Sequence, residues 1–396
     1  MVYARPVAIV SRTGARDAVV VGAVRTPVGV GKPTKGELAE IHPVDLSAHV
    51  IDALIRRAQL EPALVEDVVW GCVSQVGEQA GNIARNAALA AGLPESVVGT
   101  TVDRQCGSSM QSLQFAAAGI VAGHYDVAIA GGVEVMSRVP MFSNIGSADP
   151  FGSMKVRYDG RLVPQGISAE LIAEKWSLSR TYLDELAAAS HERAAAAQDA
   201  GLFADEIAAV PSPGGLVEHD QGIRRGTTVE RLAGLKPSFK EDGVVTAGNA
   251  SQISDGAAAL LVTTSQTARA LGLTPLARLH SFAAAGVDPI LMLTGPIPAT
   301  AKVLQRSGLS LDDIGVFEVN EAFAAVLGAW YAETGAPPDL TNPVGGAMAL
   351  GHPLGASGAR IATTMLHHMR RQGIRYGLQT MCEGGGMANA AIFELL

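Results

Sequence analysis

Short β-branched runs alternate along this chain with longer segments of helical spacing. AVVVGA at residues 18–23 has the pattern of a buried strand, and DVVWGCV at 67–73 reads as the next one. Between them Leu46, Val50, Ala53, Leu54 and Ala58 fall on one face of a helix over 45–59. After Cys106 the run SSMQSLQFAAAGIVAG is small or apolar on every side, which predicts a helix buried all round. VAIAGG at 127–132 predicts another buried strand. The last third repeats this order: a helix over 298–307, a strand over 313–319, and a glycine-rich turn feeding a helix over 355–369. A strand at 376–381, a glycine triplet at 384–386 and a strand at 388–393 complete it. Each stretch runs through a helix, an Asp-led strand, a Gly/Ser-rich helix start and a strand ending in glycines. The pattern predicts an internally duplicated α/β unit with its strands buried between helices.

Residues 138–248 have a different texture. GSADPFGSMKVRYDG, PSPGG and HDQGIRRG are turn-rich. One helix, over 184–200, stands out, with Thr181 and Asp184 spaced for a capping box. The expected organisation is an N-terminal half over 1–137, completed by 249–274, an inserted loop domain over 138–248, and a C-terminal half over 275–396. Insertions of this kind carry binding surfaces on a rigid scaffold.

Composition narrows the function. A chain of 396 residues, 48% hydrophobic and 17% charged, is long enough for more than one core and too apolar for disorder. A net charge of −8 without a dense Lys/Arg run points away from nucleic acid and anionic membranes. No apolar run approaches the roughly 20 residues a membrane span needs. The first sixteen residues carry arginines and no acids, and read as a ragged tail more readily than as a targeting segment. The expected location is cytoplasmic. Three cysteines, Cys72, Cys106 and Cys382, lie far apart with no C-x-x-C spacing, so neither a disulfide framework nor a zinc site is expected. His367 and His368 have no metal-ligand spacing, and no phosphate-loop or dinucleotide glycine motif is present.

Four residues stand where chemistry is placed in such folds. Cys106 sits where a strand-like run meets the buried helix, where N–H groups at a helix start lower a thiol pKa; it reads as a nucleophile or as a buried structural cysteine. His352, in ALGHPLGAS, occupies the mirror position before the second-half helix and could take a thiol proton. Cys382 precedes the glycine triplet, whose backbone N–H groups could form an oxyanion hole. Asn320 follows the strand at 313–319, and its amide either holds a water, orients an imidazole or caps the next helix. Cys72, inside DVVWGCV, reads as core.

Together, DRQCGSSMQS, NASQISDGAAAL, NEAFA, GGAMALGHPLGASGAR and CEGGGMA resemble the thiolase family, over residues 18–396. The resemblance implies a thiolase fold, with two duplicated α/β halves stacked as a layered α-β-α-β-α core. It implies an acyltransferase that cleaves 3-ketoacyl-CoA with coenzyme A, or runs the reverse Claisen condensation, through an acyl-cysteine. In that reading Cys106 is the nucleophile, His352 activates it, and Asn320 holds the water of the first oxyanion site. Cys382 moves protons at the α-carbon of acetyl-CoA, and Gly384 gives a second-oxyanion N–H beside that of Cys106. Ser251, Phe239, Arg224 and Phe323 are placed with substrate and CoA. Coenzyme A is a co-substrate, and no bound cofactor or metal is implied. A homodimer or homotetramer is expected. Short-chain biosynthetic members carry His-Met-Gly over the acyl group; here Pro164, Gln165 and Gly166 stand there, closer to the degradative Pro-Met-Gly form. Gln252 and Asp103 also depart from the usual Gly and Asn, which favours a bulkier acyl chain. Two rival readings are a ketoacyl synthase, which lacks the second cysteine, and an acyl-CoA-binding protein without catalysis.

Overall fold

The computed structural model describes residues 16–396. The expectation for the N-terminal tail therefore lies, apart from Arg16, outside the described residues. Nine principal strands build the central sheet: β1 (Val19–Arg25), β2 (Asp67–Gly71), β3 (Val98–Val102), β4 (Val127–Val135), β5 (Ser254–Thr263), β6 (Ala277–Gly286), β7 (Val316–Val319), β8 (Tyr376–Glu383) and β9 (Met387–Leu395). Their order is β7-β8-β9-β6-β1-β5-β4-β2-β3.

The pairing senses show the duplication directly. β2 runs parallel to β4, then β4–β5 and β5–β1 are antiparallel. Likewise β7 is parallel to β8, and β8–β9 and β9–β6 are antiparallel. The two half-sheets meet where β1 pairs with β6 at Val19–Arg278 and Val20–Ala277. Because strands of both halves share this seam, the sheet is continuous, and a second-half helix packs against strands of both halves.

The central helices are α3 (Ser108–Ala122) and, from the second half, the helix Ser357–Gln372. The expected boundaries shift by a turn or less, because buried backbone decides where a helix starts. α1 (Pro43–Ala58) covers the outer face of the first half-sheet and Pro296–Ser307 that of the second. One apolar cluster joins Val20, Val69 and Leu260 of the first half to Met365, Met381 and Phe393 of the second through Met110 and Leu113 of α3. Burying α3 from both sides is what its composition predicts, but the burial is incomplete. Phe115 and Val121 are 48% and 50% exposed on one face.

One sequence reading is corrected. The helix expected over 184–200 is Arg180–Asp199, and its cap is Ser179, whose hydroxyl accepts from the Tyr182 N–H, not Thr181. Asp184 is instead buried, bonded to the Arg180 guanidinium and the Asn249 amide. β5 and β6 give the hydrophobic pattern little to read, since DGAAALL and FAAAG are mostly small residues with weak strand preference. They become central strands because small side chains let helices approach the sheet closely.

Leu261, in the middle of β5, is fully buried. Leu261→Ala is expected to destabilise the fold by about 3 kcal/mol, measured by chemical denaturation at fixed protein concentration.

Candidate active site

Both helix starts converge on one cavity. Cys106, His352 and Cys382 share the lining of a cavity of about 280 Å³, walled mostly by apolar side chains. All three are at most 5% exposed. Their convergence follows from the duplication, since the loops before the two central helices are symmetry equivalents that meet in the middle of the molecule.

Backbone strain presents the nucleophile. Gln105 has φ +48°, an uncommon conformation for a side-chain-bearing residue, and precedes Cys106 in a tight turn. Asp103 holds that turn by accepting from the Gln105 N–H at 2.7 Å. Ser108 tightens it further, accepting from the Arg104 N–H and donating to Gln105 O. The N–H groups of Cys106 itself and of Gly384 point at the Cys106 sulfur. This places the Gly384 N–H beside the thiol. The expectation that the helix start lowers the Cys106 pKa is not met: burial, followed by the nearby Glu383 carboxylate, pushes the thiol up to about 12 and outweighs the two N–H groups. Cys382 is likewise pushed up, first by burial and then by Cys106 and Glu383.

His352 is held from three sides. Its N–H donates to Ser254 Oγ at 3.0 Å, and Gly351, at φ +100°, leaves no room for a Cβ against that hydroxyl. Its Nδ1 lies 2.6 Å from Ser357 Oγ. The Ser357 hydroxyl donates to Pro353 O at 2.8 Å, so its oxygen is left to accept, and Nδ1 carries the ring proton. Nε2 is then the lone pair facing the site, 3.4 Å from the Asn320 amide. Burial, with the Arg360 charge adding to it, lowers His352 to about 3. The resting imidazole is therefore neutral and able to accept a proton. Asn320 does not cap the following helix, which begins at Ala324 behind Phe323. Its Oδ1 is buried with no partner among the described residues.

The remaining predicted residues divide. Ser251, Phe239 and Phe323 line the cavity, the two phenyl rings edge to face with centroids 5.9 Å apart. Pro164, Gln165 and Gly166 form part of the same wall. Arg224 is exposed and does not line the cavity; its N–H donates to His191 Nδ1. Gln252 anchors neighbouring loops through its amide, which donates to the carbonyls of Gly222, Met348 and Ala349. Cys72 is core. The pattern reading passed over Ser357 and Glu134. A serine five residues after a histidine at a helix start was the available signal for the first. Glu134 is a buried acid in an otherwise apolar strand, and it accepts from the N–H groups of Val73, Ser74 and Gly355 and from the Gln79 amide.

A family model described as thiolase, N-terminal domain, matches residues 18–266, and one described as thiolase, C-terminal domain, matches 273–395. The chain belongs to the thiolase family, and is an acyltransferase. It is 50% identical over 389 residues, 96% of this chain and 94% of the other, to a Mycobacterium tuberculosis protein named steroid 3-ketoacyl-CoA thiolase. It is 44% identical over 404 residues, 96% of this chain and 99% of the other, to an Escherichia coli protein named 3-oxoadipyl-CoA/3-oxo-5,6-dehydrosuberyl-CoA thiolase. The crystal structure of the Bacillus anthracis acetyl-CoA acetyltransferase matches with a TM-score of 0.88 at 37% identity, over 96% of this chain and 99% of that one.

Ser357→Ala removes the acceptor that fixes the His352 tautomer. It is expected to lower kcat about tenfold, a loss of roughly 1.4 kcal/mol, with thermal stability nearly unchanged; steady-state kinetics beside a melting curve checks both.

Proposed function

We propose that this thiolase cleaves 3-ketoacyl-CoA substrates whose acyl group is bulky, apolar and uncharged. The observation that carries this is one largely apolar cavity holding two thiols and a neutral histidine, with no Lys, Arg, Asp or Glu among the described residues that line it. Met136, Met141, Phe142, Leu293 and Leu354 offer an acyl chain dispersion and desolvation but nothing to pair with a terminal carboxylate. Between the relatives' named substrates, this favours the steroid type over the 3-oxoadipyl type. Arg224 and Phe239, from the inserted segment 138–248, and Ser251 are read as the CoA side of the site.

The chemistry assigns each group a role. Cys106 Sγ bonds to the C3 carbonyl carbon while its proton passes to His352 Nε2. The protonated Nε2 and the Asn320 side, through a water, stabilise the resulting alkoxide. Breaking the C2–C3 bond re-forms the carbonyl as an acyl thioester on Cys106 and expels an enolate, which takes the Cys382 proton and leaves as acetyl-CoA. The thiol of free CoA then attacks the acyl-enzyme, its proton going to the Cys382 thiolate, with the thioester oxygen held by the N–H groups of Cys106 and Gly384. Collapse of that adduct breaks the Cys106–acyl bond, releases the shortened acyl-CoA, and returns the proton on His352 Nε2 to Cys106 Sγ. Atoms balance, and the reverse sequence is a Claisen condensation. Neutral resting thiol and imidazole suit this scheme, since neither reacting group carries a charge until substrate arrives.

The degradative direction, coenzyme A as sole co-substrate, a cytoplasmic location and a homodimer or homotetramer complete the reading. The oligomer is supported by the bare edge of β3, with Val98 56% exposed, and by the uncovered Phe115 and Val121. No helix among the described residues is long and apolar enough to cross a membrane.

The test mixes the protein with CoA and either acetoacetyl-CoA, a polycyclic 3-ketoacyl-CoA or 3-oxoadipyl-CoA, following loss of the ketoacyl absorbance. The polycyclic substrate is expected to give the highest kcat/KM and Cys106→Ala to abolish turnover. A preference for 3-oxoadipyl-CoA would overturn the substrate assignment while leaving the chemistry intact.

A further inference from the structure

The residue after the second cysteine is an acid, and none of the roles above uses it. Glu383 closes β8, is fully buried, and neither carboxyl oxygen has a hydrogen-bonding partner among the described residues. Such a group is costly to leave unpaired, and an explanation is required for it. Its position supplies one. A Cβ on Gly107, the residue directly after the nucleophile, would strike Glu383 Oε1, and that same Cβ would lie 2.8 Å from Asn389 Nδ2. The carboxyl therefore lies against the backbone that carries Cys106, at the start of α3. Two more buried polar atoms there lack partners among the described residues: Asn389 Oδ1 and Arg104 Nε.

We propose that Glu383 is a positioning residue for the nucleophile: its carboxyl, neutral or charged, sets how readily Cys106 gives up its proton. This rests on Cys106 being the nucleophile. The groups facing Glu383 are Arg104 and Asp103 from the turn before α3, and the thiols of Cys106 and Cys382; Glu134 on β4 faces Cys106 from further away. Burial, opposed by Arg104 and reinforced by Asp103, moves the Glu383 carboxyl up to about 8. The sign follows. Near neutral pH the group is largely a neutral acid, and the thiol loses its proton against burial without an adjacent Glu383 charge. As pH rises through the Glu383 range a carboxylate appears beside Cys106 and opposes a second negative charge on the sulfur. Since β8 also carries Cys382, both thiols feel the same switch.

The experiment is the pH dependence of Cys106 alkylation by iodoacetamide, read on the Cys106 peptide by mass spectrometry, with no substrate present. Glu383→Gln keeps the shape and removes the charge, and is expected to move the alkylation midpoint down by about one pH unit or more. Glu383→Asp keeps a carboxyl and is expected to stay close to wild type. The alkaline limb of thiolysis should move in the same sense. A Glu383→Gln curve with the wild-type midpoint, even at reduced rate, overturns the proposal and leaves a purely structural role. Wild-type protein gives a second check that needs no variant to fold: the logarithm of its alkylation rate between about pH 6 and 11 is expected to rise with pH and to flatten over the Glu383 range before rising again, and a straight one-proton rise across the whole range overturns the proposal. Because alkylation needs no acyl-CoA, failure here is distinct from failure of the thiolase reading, which Cys106→Ala turnover tests.

Discussion

One buried carboxylate ties the two halves together at the site. Glu134, on β4 of the first half, accepts from Val73 and Ser74 beyond β2, from Gln79, and from the Gly355 N–H in the loop that carries His352. Four donors on one acid turn an unfavourable burial into a fixed junction. Gly355 and Gly132 have no side chains, and nothing larger fits, because a Cβ on either would overlap the backbone of the opposite half. The site exists because backbone meets backbone here, and Glu134 sets the register of that meeting.

Around that junction the site is neutral at rest and strongly desolvated. Burial raises both thiols and lowers the imidazole. An apolar enclosure of this kind favours reactions in which charge is created and passed on within the cavity, since fixed N–H groups and amides then act at low dielectric. Ser357 contributes without touching substrate, by fixing which imidazole nitrogen carries the proton. Gln105, strained at φ +48°, and Gly351, at +100°, hold the two reacting loops in conformations that ordinary turns do not supply.

Much of the fold was legible where periodicity was strong. The helix at 43–58, the all-round apolar α3 and the β-branched strands announced themselves, and their repeated order disclosed the duplication. Where side chains were small the signal failed: Ser254–Thr263 and Ala277–Gly286 are alanine-rich, and their strand character comes from pairing on both sides. The cap at Ser179 was misread because Thr181 and Asp184 satisfied a local spacing, while tertiary partners, Asn249 and Arg180, had already claimed the acid. The catalytic candidates were legible as residues beside glycines and helix starts, yet their electrostatics were not.

The amino-acid sequence alone determined the duplicated α/β plan, the family, and the identity of Cys106, His352 and Cys382 as the residues to watch, because local pattern and motif spacing are one-dimensional. Tertiary structure alone decided the rest. It turned the expected lowering of the Cys106 pKa into a rise, sent Arg224 away from the cavity lining, and set Glu383 against the nucleophile's backbone. Burial and charge act through distance in space, and residues 106 and 383 become neighbours only when the two half-sheets close around their shared helices.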